Sequence, residues 1–123
     1  MMKLEYGEGQ TKVEISCCQL GQDVQVVLTA GKAHVGAVAL AVPCAANAEG
    51  VTASVSVLTV PGHRDNIVAE EAALRLCKAL NRPVSVTAGL HIDKASQAEI
   101  MTLVKNAQEA VNILLMNLKG DKE

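Results

Sequence analysis

From Thr11 to Cys17 apolar and polar residues alternate, with Val13, Ile15 and Cys17 set against Lys12, Glu14 and Ser16. A period of two marks a strand with one buried face. Leu20-Gly21-Gln22-Asp23 reads as a turn, and a second strand from Val24 to Thr29 should return as a hairpin with the first. Ala30-Gly31-Lys32 breaks that strand, and a third runs from about His34 to Val42, with Gly36 inside it. Pro43 to Gly50 reads as a flexible connection. Val51 to Val60 is a long fourth strand, with Val51, Ala53, Val55 and Val57 on one face and Thr52, Ser54 and Ser56 on the other. To this point the pattern is an antiparallel meander.

The period then lengthens. Pro61-Gly62 ends the fourth strand, and Asp65 or Asn66 can cap a helix that reaches about Leu80. Its inner stripe is Ala69, Ala73, Leu76, Cys77 and Leu80, while Glu71, Arg75 and Lys78 lie outward at supporting spacings. Asn81 suits the left-handed residue that closes a helix, and Pro83 cannot continue one. Val84, Val86 and Ala88 alternate with Ser85 and Thr87 in a fifth strand from Pro83 to Leu90. Ser96-Gln97-Ala98-Glu99 is a capping box that opens a helix to about Leu118. Its apolar stripe is Ile100, Leu103, Val104, Ala107, Val111, Leu114, Leu115 and Leu118.

The expected order is β-β-β-β-α-β-α. The expected fold class is α+β (an α/β sandwich), a mixed and mostly antiparallel sheet of five or more strands with two helices on one face. The 123 residues suit a single domain, with 1–10 and 119–123 as frayed tails. The other sheet face is open, which calls for a partner and predicts a symmetric homodimer.

Composition narrows the function classes. Half of the residues are hydrophobic and Tyr6 is the sole aromatic, so the core is aliphatic and finely divided. A formal net charge of −2, with no basic stripe and no stacking aromatics, argues against nucleic acid. No stretch approaches the roughly eighteen apolar residues of a membrane span, and the polar N-terminus lacks the apolar middle of a signal peptide. Cys17, Cys18, Cys44 and Cys77 form no C-x-x-C pair and read as small buried hydrophobes in a reducing compartment, which implies the cytoplasm.

The polar chemistry gathers around three histidines, in Gly31-Lys32-Ala33-His34, Pro61-Gly62-His63-Arg64-Asp65 and Gly89-Leu90-His91-Ile92-Asp93-Lys94. The fourth strand, first helix and fifth strand form a β-α-β unit, so those two strands should run parallel and end at one edge. That edge carries His63 with Arg64 and His91 with Lys94. An antiparallel third strand brings Lys32 and His34 to it. Crevices outside the carboxyl ends of parallel strands bind ligands, and helix N-termini favour anions. The candidate site is therefore Lys32, His34, Gly62, His63, Arg64, His91 and Lys94, and its natural guest is a phosphate or carboxylate. The plainer alternative has Asp65 and Asp93 as helix caps and each histidine bonding a loop carbonyl. Metal is not favoured, because no local H-x-H or H-x-x-x-H pair exists and Arg64 beside His63 repels a cation. A small lyase or hydrolase using His63 or His91 as acid or base is a further alternative, as is a purely structural assembly chaperone.

Three stretches taken in order carry a resemblance: His34-Val35-Gly36-Ala37-Val38-Ala39, Pro61-Gly62-His63-Arg64-Asp65 and Gly89-Leu90-His91-Ile92-Asp93. Together they resemble the small prenylated-flavin chaperones encoded with gallate-type hydroxyarylic acid decarboxylases, from about Gly31 to Leu118. The resemblance implies a fold similar to proteasome assembly chaperones. It also implies a non-catalytic accessory role, in which prenylated flavin mononucleotide (or flavin mononucleotide) is held and passed to a decarboxylase of the UbiD type.

Overall fold

The computed structural model describes residues 1–61 and 65–120. Six strands form one sheet: β1 (Met2–Tyr6), β2 (Val13–Leu20), β3 (Asp23–Gly31), β4 (Ala37–Asn47), β5 (Gly50–Thr59) and β6 (Val84–His91). Helix α1 (Asn66–Leu80) lies between β5 and β6 in the chain, and α2 (Gln97–Gly120) follows β6. The order in space is β1-β2-β3-β6-β4-β5. Among the described residues only the β3–β6 pairing is parallel; the other neighbours are antiparallel.

The sheet is not a meander throughout. β6 inserts between β3 and β4, pairing Leu28 with Ala88 on one side and Ala37 with Ala88 on the other. Its inward residues Val84, Val86 and Ala88 are fully buried, as expected of a central strand. β5 and β6 run in the same direction with β4 between them, so the β-α-β relationship holds across one intervening strand.

Alternation decides which face is covered. Val13, Ile15, Val26, Leu28, Ala37, Ala39 and Ala41 face a core completed by Ala69, Ala73, Leu76 and Cys77 of α1 and Leu103, Ala107, Val111 and Leu114 of α2. Alanine on β4 and α1 lets helix and sheet approach closely, in keeping with a core without aromatic rings. The capping box is formed reciprocally: Ser96 N donates to Glu99 Oε1 at 2.9 Å and Glu99 N to Ser96 Oγ at 3.1 Å. Asn81 closes α1 in the left-handed region at φ 55°.

Several boundaries differ from the sequence reading. Residues 1–10 are not a frayed tail: Met2 and Leu4 alternate with Lys3 and Glu5 in β1, which pairs with β2, and Met2 and Leu4 pack against the core. β4 starts at Ala37, so His34 lies in the connection before it. β4 also continues past Pro43 through a bulge to Asn47, closing a tight hairpin with Gly50. Ile100 and Val104 are exposed, and Asn106 takes a buried place on α2, donating from Nδ2 to Thr11 O at 2.9 Å. Cys17 and Cys77 are buried, and burial pushes both thiols up; Cys18 and Cys44 are exposed, against expectation, because they fall on the open side of β2 and at the bulge of β4.

The open sheet face carries Val27, Leu40, Val42 and Leu58, all exposed, beside Ser56, Ser85 and Thr87. Among the described residues no helix is long and apolar enough to cross a membrane.

Candidate functional site

The carboxyl ends of β3, β5 and β6 and the start of β4 share one edge: Gly31 is level with His91, and Ala37 is level with both Ala88 and Thr59. Because β6 separates β3 from β4, residues 32–36 must cross over the end of β6. The crossing is tight. Lys32 N donates to His91 O and Gly36 N to Ala88 O, each at 2.9 Å. A Cβ on Gly89 would collide with the backbone carbonyl of His34, and one on Gly31, which sits at φ 62°, would collide with that of His91. Three glycines of the sequence motifs thus serve close backbone approach; the third, Gly36, abuts Asp65.

Asp65 organises this edge. It precedes α1, yet its side chain makes no capping bond. Only 6% exposed, it turns inward instead: Oδ1 accepts from Leu90 N at 3.1 Å and Oδ2 faces His34 Nε2 at 3.0 Å. One buried carboxylate therefore joins the start of α1, the end of β6 and the crossover. Capping was the simpler reading of Asp65 because the sequence shows only its position beside the helix, not the strand end opposite it.

His34 has both ring nitrogens engaged. Nδ1–H donates to Lys32 O at 2.9 Å, since a carbonyl can only accept, and Nε2 meets Asp65. Its ring stands edge-on to that of His91, with centroids 6.1 Å apart. His91 Nε2 lies 2.9 Å from Asp93 Oδ1, and Lys32 Nζ lies 3.0 Å from Asp93 Oδ2. Asp93 is therefore held by Lys32 of the crossover and His91 of β6 and does not cap α2. The Lys32 hydrogen bond, then that of His91, hold its carboxyl below the ordinary value. Gln10, Gly31, Lys32, His91, Ile92 and Asp93 line a cavity of about 240 Å³ here. Lys94, exposed, follows in the left-handed region at φ 55°.

Of the expected site residues, Lys32, His34, His91 and Lys94 thus lie at one edge. Gly62, His63 and Arg64 lie outside the described residues. Asp65, Asp93 and Gln10 extend the cluster. The first two were visible as neighbours of the histidine motifs, whereas nothing near Gln10 in the sequence points to it. Among the described residues no group of three His, Cys, Asp or Glu side chains is arranged to hold a metal ion.

The fold is similar to that of a crystal structure of a chaperone complex for yeast 20S proteasome assembly, with a TM-score of 0.59 over 98% of each chain. At 15% identity that likeness speaks for the fold alone. Among curated proteins none matches the chain. The crossover glycines, the histidine pair and the carboxylates between them all fall inside residues 7–119, which match the family of the prenylated flavin chaperone LpdD-like domain, and to that family the chain belongs.

Proposed function

We propose that this protein is a non-catalytic carrier that binds prenylated flavin mononucleotide, or flavin mononucleotide, through its phosphate at the shared edge and delivers it to a decarboxylase of the UbiD type. Membership of the prenylated flavin chaperone family carries the reading. The placement of Lys32, with His91 beside it, at a cavity on that edge supports it. Arg64 is the main phosphate contact, because its planar fork matches phosphate oxygens in pairs. Gly62 gives close backbone approach, and His63, His91, Lys94 and Lys32 add polar and charged contacts. His34 stands beside the site with both of its ring nitrogens engaged.

The carrier acts as a homodimer joined through the open sheet face. Six strands about 4.8 Å apart and roughly 30 Å long present on the order of 800 Å² per protomer, the area a stable interface needs. Val27, Leu40, Val42 and Leu58 give that face an apolar centre. Sedimentation should find a dimer at micromolar concentration, and Leu40→Asp should yield a folded monomer.

The flavin titration tests the reading directly. Arg64→Ala should weaken binding ten- to a hundredfold, about 1.5–3 kcal/mol for a hydrogen bond to a charged group, and Arg64→Lys should recover part of it. Equal affinity in both proteins removes Arg64 from the site. Failure of the wild type to bind any flavin overturns the carrier reading.

A further inference from the structure

The Asp93 carboxylate occupies the place an anionic ligand would take. It bridges Lys32 Nζ at 3.0 Å and His91 Nε2 at 2.9 Å, and all three side chains line the same cavity of about 240 Å³. The three come from separate places in the fold: Lys32 from the crossover, His91 from the end of β6, and Asp93 from the turn before α2.

We propose that Asp93 is a built-in competitor at this site, a carboxylate that an incoming anion must displace from Lys32 and His91, so that it raises the intrinsic affinity any ligand needs, a demand a phosphomonoester dianion meets more readily than a monoanion. The proposal rests on the reading of this edge as a phosphate site. A carboxylate and a phosphodiester each carry one negative charge, whereas a phosphomonoester carries about 1.5 to 2 at neutral pH. Asp93 is tethered two residues from His91, so an untethered anion of equal charge competes against a high effective concentration and loses. The extra charge of a monoester tips the exchange. The exchange needs no rearrangement of the fold, because the Asp93 side chain is 64% exposed and free to turn into water. The consequence is that a ligand must bring a charge able to replace the carboxylate, as the phosphate of flavin mononucleotide does and riboflavin, which has no phosphate, does not.

The sign of one substitution decides between competitor and orienting residue. Phenyl phosphate and its methyl diester are titrated into wild type, Asp93→Asn and Asp93→Glu, with amide shifts at Gly31, Lys32, His91 and Asp93 as the readout. Wild type should prefer the monoester at least tenfold. Asp93→Asn should bind both probes more tightly, by a similar factor. Asp93→Glu should return most of the wild-type affinity. Weaker or unchanged binding of the monoester by Asp93→Asn overturns the proposal, since an orienting carboxylate behaves in those ways. Absence of phenyl phosphate binding to all three proteins also overturns it. Flavin mononucleotide is titrated in parallel. If it fails to bind while the phenyl esters behave as expected, the flavin reading falls and the role of Asp93 stands. If it binds without moving Lys32 or His91, the role of Asp93 falls and the flavin reading stands.

Discussion

The two ends of the sheet are held together by different chemistry. At the end away from the site, backbone geometry and carbonyls do the work. Arg82 Nη1 donates to Gln22 O at 2.9 Å, Val24 N to Pro83 O at 3.3 Å, Asn81 takes the left-handed turn and a tight hairpin joins β4 to β5. At the site end, polar and charged side chains meet: Asp65 with His34, and Asp93 with Lys32 and His91. The first kind of joint tolerates change, because its acceptors are backbone carbonyls, which every residue supplies. The second depends on particular side chains that must complement one another and is correspondingly brittle. It is also the kind a ligand can enter, since an ion pair can exchange partners and a backbone turn cannot.

Substitution at the crossover should show the contrast most strongly. Gly89→Ala drives a Cβ into the His34 carbonyl, and neither backbone can yield cheaply. A loss of about 3 kcal/mol is expected as a lowered urea midpoint with unchanged slope. Asp65→Ala should follow at about 2 kcal/mol, since Leu90 N–H and the His34 ring lose their shared acceptor in a buried place. Asp65→Asn, which keeps an acceptor oxygen, should lose less. At the other end Arg82→Ala should cost only about 1 kcal/mol, the net worth of an ordinary hydrogen bond. If Arg82→Ala proves as damaging as Asp65→Ala, the distinction between the ends fails.

The smallest effect is that of pH at Asp93. Its carboxyl is held below the ordinary 3.8 in the folded state, by Lys32 first and His91 second. A depressed carboxyl contributes stability that is present above 3.8 and lost as pH falls through the folded-state value. Acid unfolding of wild type and Asp93→Asn should therefore differ above that window and converge below it. Because the group is exposed the difference should be slight, and a gap that widens on acidification would contradict the ion pairs.

What the sequence reveals follows the same division. The elements held by local rules, such as the helix ended by Asn81, the Ser96–Glu99 box and the alternation in β2 and β3, are readable because each signal lies within a few residues. β1 was missed because five alternating residues among charges resemble a tail until Val13–Cys17 is there to pair with them. The position of β6 was hidden for a different reason. The alternation in Pro83–Leu90 does not say which two strands will flank it, and the clue lay in glycines at 31, 36 and 89 that leave room for a crossing chain. At the site, the gathering of Lys32, His34, His91 and Lys94 followed from strand direction alone. The inward turn of Asp65 did not, since a residue before a helix looks like a cap until the opposing strand end is in view.

The central place of β6 bears on the order of assembly. β1, β2 and β3 can pair with one another as soon as they exist, and so can β4 and β5, but no strand pairing joins those two groups. They remain two unconnected ribbons until a strand from the last third of the chain slides between them, with contacts to β3 spanning some sixty residues, such as Val24 with Val84. Closing such long loops is slow, so insertion of β6 should limit the folding rate. Until then both ribbons show raw strand edges and apolar faces, the condition in which chains stick to one another. A chain growing from its N-terminus spends its most vulnerable interval waiting for its own middle.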